Sequence, residues 1–116
     1  MNSSKKFARA FVVQNSGHDF ATLKEICEDI IFITNEYHGE DKLLPTIIAG
    51  LQEFSPRRDV IVPVGNVYVN LLVGMVAAEM SREWGHFRVA LYRDKEYHIQ
   101  LVEINALGDL IHVFSN

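Results

Sequence analysis

Cysteine occurs once in the 116 residues, at Cys27, so no disulfide can close within the chain. That usage fits a reducing compartment. No repeat or low-complexity segment appears, and a chain of this length is expected to form one domain, residues 1–116, with residues 1–6 as a flexible start. No apolar stretch follows the two lysines of that start, so a secretory signal is not expected. The longest apolar run, residues 67–80, carries Asn70 and Glu79 and is too short to span a bilayer. A cytoplasmic protein that does not enter membranes is therefore expected. A basic face is also missing. The net charge is −4, and Glu25, Glu28, Asp29, Glu36, Glu40 and Asp41 make the middle of the chain acidic. Lys5, Lys6 and Arg9 at one end and Arg57 with Arg58 in one loop allow a local phosphate contact. They do not make the broad surface that nucleic-acid binding needs.

What is present is globular: 48% hydrophobic and 22% charged residues, enough to bury a core without metal or disulfide. Residues 8–14 (Ala-Arg-Ala-Phe-Val-Val-Gln) read as a strand with little alternation after Arg9, the pattern of a sheet covered on both faces. Residues 21–27 read as a helix of about two turns, and Ile30 to Thr34 as a second strand. Leu44, Ile47, Ile48, Leu51 and Phe54 recur at helical spacing, with Asp41 as a cap, Pro45 in the first turn and Ser55-Pro56 as the stop. Residues 59–64 form a third strand, with Pro63 expected at its last paired position because proline has no N–H to give a ladder. Residues 67–84 form a long helix, apolar almost all round, which is either buried in the monomer or used as an interface. Residues 87–93 and 96–104 form a hairpin around Asp94-Lys95, and residues 110–114 add an edge strand or a docked tail.

The order β, short α, β, α, β, α, β, β predicts an α/β domain with a mostly parallel sheet and a C-terminal antiparallel hairpin, in a three-layer, Rossmann-like arrangement. Ligands of such sheets bind beyond the carboxyl ends of the strands, where strand order reverses. The loops after strands one and three qualify, which nominates Ser16, Gly17, His18, Asp19, Gly65 and Asn66 for a small anionic, nucleotide- or phosphate-like ligand. The amino end of the long helix offers N–H groups to an anion, and His18 is the group there that can exchange a proton near neutral pH. This is so only if strands one and three are neighbours. Asn66 is also a good helix cap whatever the function, and Gly65-Asn66 matches neither a dinucleotide fingerprint nor a P-loop.

Catalytic patterns are weak. Ser16, His18 and Asp19 lie too close in sequence for a relay triad. His18, Asp19, Glu36 and His38 match no metal-ligand spacing, so neither metal nor cofactor is expected. His98 and His112 read as outward strand positions, Cys27 as a small core residue, and Trp84 as a core plug.

The stretch Val-Val-Gln-Asn-Ser-Gly-His-Asp-Phe (residues 12–20), the strand Ile-Ile-Phe-Ile-Thr and the turn Val-Gly-Asn (residues 64–66) together resemble small uncharacterised α/β proteins encoded by bacteriophages and related mobile elements. The resemblance runs from about Phe11 to Ile104, and departs from the pattern at Pro63, where a hydroxyl or apolar residue is usual. It implies a viral accessory protein in the host cytoplasm, working by self-assembly as a homo-oligomer or by binding a protein partner. The other function kept open is a small-molecule module, binder or hydrolase, at the two loops. Whether the chain is an enzyme stays undecided at this level.

Overall fold

A strand that is apolar on both faces must be covered on both, and pairing on both edges settles its backbone groups. In the computed structural model, which describes residues 5–15, 20–35 and 42–105, the first strand meets both demands. β1 (Phe7–Gln14) lies between β2 (Cys27–Thr34) and β3 (Asp59–Val62), parallel to each. β4 (His86–Arg93) continues the parallel set, and β5 (Glu96–Glu103) returns antiparallel, giving the sheet order β2-β1-β3-β4-β5.

Two helices join these strands: α1 (Leu43–Gly50) between β2 and β3, and α2 (Val67–Met80) between β3 and β4. Both cover the same face. Phe11, Val13, Ile33 and Ile61 from the sheet meet Ile47 and Leu51 near α1 and Val69 and Val73 of α2 there. Phe54 stands edge-on to Phe11 and to Phe87, which ties the segment after α1 to both β1 and β4. On the opposite face Ala10, Val12, Val60, Val62 and Ala90 are covered by Phe20, Leu23 and Cys27. The described cover of that face is one 3-10 turn, Thr22–Glu25.

Several expectations shift at their edges. The short helix at 21–27 is that single turn, and β2 begins at Cys27, three residues early, because β1 supplies partners down to Phe7 opposite Cys27. Glu28 and Asp29 are tolerated in it because they are exposed. α1 stops at Gly50, before Phe54. A Cβ at Gly50 would stand 2.9 Å from Ile33 Cγ2, so the helix can lie this close to β2 only with glycine there. Pro63 falls just past Val62, the last paired residue of β3, and therefore costs no ladder bond. α2 ends at Met80 because the amides of Trp84 and Gly85 both turn back onto the Ser81 carbonyl. Trp84 consequently lies beyond the helix and is no core plug. It is 47% exposed, with the Arg57 guanidinium 4.9 Å from its ring centre. Asp94 and Lys95 take φ of 54° and 67°, the left-handed pair that a two-residue hairpin turn requires. The expected strand or tail at 110–114 and His112 lie outside the described residues.

One ion pair pins the amino-terminal ends of β1 and β3. Arg9 and Asp59 sit opposite each other in register, and Arg9 Nη2 lies 3.2 Å from Asp59 Oδ2. Asp59 is fully buried, and the same oxygen accepts the Ser55 amide at 2.8 Å. Arg9 also donates to the Glu53 carbonyl, so one guanidinium ties β1, β3 and the segment after α1 together. Removing one partner strands the other. Asp59→Ala is expected to lower the free energy of unfolding by about 3 kcal/mol, read as a drop in urea midpoint with unchanged slope.

Candidate functional site

Strand order reverses between β1 and β3: from β1 the chain steps outward to β2, and from β3 it steps the other way to β4. The two strands are neighbours, so their carboxyl ends meet. Gln14, the last residue of β1, reaches across, and its Oε1 accepts the Asn66 amide at 2.8 Å. Gly65 has φ 89°, and a Cβ there would lie 2.0 Å from Gln14 Oε1, so glycine is required both by the turn and by the side chain packed on it.

Asn66 has extended backbone and caps α2. Its Oδ1 accepts the amides of Tyr68 at 2.8 Å and Val69 at 3.2 Å. Asn70, one turn on, donates through Nδ2 to the carbonyls of Val64 at 3.0 Å and Asn66 at 2.8 Å. These two donated bonds fix the amide's orientation and leave Asn70 Oδ1 buried with no partner. The result is a latch of three amide side chains around one turn.

Of the six nominated residues, Gly65 and Asn66 stand at the reversal point as expected, while Ser16, Gly17, His18 and Asp19 lie outside the described residues. Three of the amide donors an anion would use are engaged from within: those of Asn66, Tyr68 and Val69 have side-chain acceptors. Gln14 and Asn70 are the residues the sequence reading passed over. The signal was present in both, a polar residue closing an apolar strand and a lone amide in an apolar helix.

Beside the latch, between α2 and the β4–β5 hairpin, lies an apolar cavity of about 280 Å³ lined by Val13, Pro63, Asn70, Val73, Phe87 and Val102, among others. A larger hollow, about 580 Å³, borders Phe20, Lys24, Glu28, Ile30 and Phe32 along β2, on the other face of the sheet and away from the latch. Its lining carries Lys24, Glu28 and Asp29, whereas that of the smaller cavity is apolar but for Asn70 and adjoins the latch, so the smaller cavity is the better candidate. Among the described residues no group of three His, Cys, Asp or Glu side chains could hold a metal ion. Cys27 is buried, its thiol donating to the Leu23 carbonyl at 3.3 Å, and burial pushes its pKa up. A thiol so placed is a poor nucleophile. His98 is half-buried, its Nε2 lying 3.2 Å from the Arg93 carbonyl.

No helix among the described residues is long and apolar enough to cross a membrane. No protein family, curated protein or solved structure matches the chain.

The latch makes a measurable coupling. Asn66→Ala is expected to cost about 1 kcal/mol as a lost cap. Gly65→Ala should cost more in the natural chain than in a Gln14→Ala background, where the contacts with Oε1 and Cδ are gone and the 2.9 Å approach to the residue-14 Cβ remains beside the left-handed backbone penalty of about 1 kcal/mol. A urea-denaturation double-mutant cycle reads the difference.

Proposed function

We infer that the protein acts by binding and not by catalysis, and that it associates with itself through the outer face of α2. One observation carries this. Val69, Val73 and Ala77 face the core, and on the opposite side Val67, Tyr68, Leu71 and Met75 are 75%, 53%, 64% and 61% exposed. The positions repeat every four residues, so they form one stripe along the helix. From Val67 to Ala78 there is no charged residue. A helix that only covered a sheet would turn charge toward water on that side. Loss of charge with Tyr, Leu and Met left exposed is the composition of an interface centre.

A second copy is the favoured partner. In a two-fold interface the same stripe meets itself, and a stripe without charge does so without repulsion, even though each chain carries −4. The frame we read beneath it is Rossmann-like, supported by the reversal of strand order at β1 and β3. The setting we read, the cytoplasm of a bacteriophage's host, is supported by the sequence resemblance alone.

A small-molecule module is the second reading, favoured by the apolar cavity and by Asn70 in its lining. A ligand with one N–H or O–H donor and an apolar body fits that chemistry.

Native mass spectrometry at low micromolar concentration separates the two. Multiples of the chain mass without added mass are expected, and Leu71→Glu with Met75→Glu should at least halve the largest assembly while leaving the circular dichroism unchanged. A monomer in the natural chain overturns self-association. A reproducible added mass that Gly74→Leu removes favours the cavity, since a side chain at Gly74 meets nothing within 4 Å and would grow into it.

A further inference from the structure

Parallel strands begin at one end of their sheet, so the residues just before β1, β3 and β4 share a rim. Lys6 precedes β1, Arg57 and Arg58 precede β3, and Trp84 stands shortly before β4. These groups are far apart in sequence, and the strand order brings them together. β1 and β3 are in register there, and the Ala8 amide donates to the Arg58 carbonyl at 2.8 Å. Contact on the other side is direct, with the Arg57 guanidinium 4.9 Å from the Trp84 ring centre. Neighbouring strands run about 4.8 Å apart, so the three strand starts span about 10 Å. Lys6, Arg57 and Arg58 are exposed, and among the described residues none of them forms an ion pair with a carboxylate. Asp59 and Glu53 are engaged by Arg9, and Glu83 borders a hollow at the end of α2 with Glu79, Met80 and Arg82. Glu25 and Glu103 stand farther out, before β2 and at the end of β5.

We propose that this rim binds single-stranded nucleic acid, with a base stacked on Trp84 and successive phosphates on Arg57, Arg58 and Lys6. An aromatic platform beside a row of cations is the chemistry of strand binding without sequence preference. Trp84 is the observation that separates this from a plain anion site: it keeps 47% of its surface in water beside the guanidinium. The row is open and runs across three strand ends, which suits a chain lying along it. A mononucleotide would need a concave pocket instead. The chain's charge of −4 opposes a polyanion mainly at range. At about 0.1 M salt, exposed charges more than about 10 Å away are screened, and the local trio decides. The rim shares no residue with the exposed stripe of α2, so it stands apart from self-association.

Trp84 is the chain's one tryptophan, so its fluorescence reads the ring directly. A twelve-nucleotide oligothymidylate at low salt is expected to quench that emission and to bind in fluorescence anisotropy. Three phosphate contacts predict a slope of log K against log salt of about −2. Trp84→Ala should weaken binding about tenfold or more, and Trp84→Phe much less, because a phenyl ring still stacks. Lys6→Ala with Arg58→Ala should bring the slope to about −0.7 while leaving the circular dichroism unchanged. An oligoglutamate of equal charge should bind at least tenfold more weakly than the thymidylate. Equal binding of the two means that charge alone is read, as by an acidic peptide, and overturns the proposal. So does an absence of quenching at low salt, a Trp84→Ala chain that binds as tightly as the natural one, or a salt slope that the double substitution leaves unchanged.

Discussion

The pairing of β1 on both edges, with β2 on one side and β3 on the other, is the constraint from which the remaining geometry follows. Ala10, Phe11, Val12 and Val13 are all buried, so each face of the strand needs its own cover. The face bearing Phe11 and Val13 receives both helices, and the face bearing Ala10 and Val12 receives the turn around Leu23. The strand's two ends are then secured by polar contacts to β3 and to the turn beyond it, Arg9 with Asp59 at one end and Gln14 with Asn66 at the other. An apolar middle drives burial, and the polar ends specify which neighbour is beside it.

Much of this was legible in the residues. The unbroken apolar run of β1, the alternation of strands with helices and the Asp94-Lys95 turn predict a parallel sheet closed by a hairpin, and the described residues form one. The reversal point was placed through Gly65-Asn66 by general topology. Boundaries were less legible where tertiary partners decide them. Glu28 and Asp29 have poor strand propensity, yet they extend β2 because β1 offers a ladder and the edge is wet. Trp84 reads as core by its type, but the chain turns at Ser81 before reaching it. The acceptor for the Asn66 amide could not be found by spacing, since Gln14 lies 52 positions away.

The apolar face of α2 shows why composition alone could not choose between core and interface. Helical periodicity identifies a buried stripe only when the other side is polar. In Val67–Met80 both sides are apolar, and the sheet beneath decides which is covered: Val69, Val73 and Ala77 are buried, while Leu71 and Met75 face outward. Asn70 is the polar exception, and the turn at Val64 and Asn66 claims its donors.

The position of β1 also has a consequence in time. Its partners arrive late and in sequence: residue 30 pairs with Ala10 first, and residue 60 pairs with the same Ala10 from the other side. During synthesis or refolding, β1 and β2 form a two-stranded parallel unit with an unsatisfied inner edge until thirty more residues are available to close it. Contacts of such separation are slow to form because the intervening loop must lose its freedom first. The hairpin of β4 and β5, by contrast, closes locally and early. A strand paired on both edges in the finished protein is therefore the one whose inner edge waits longest for its partner, and the interval before β3 docks is when chain-to-chain mispairing competes with folding.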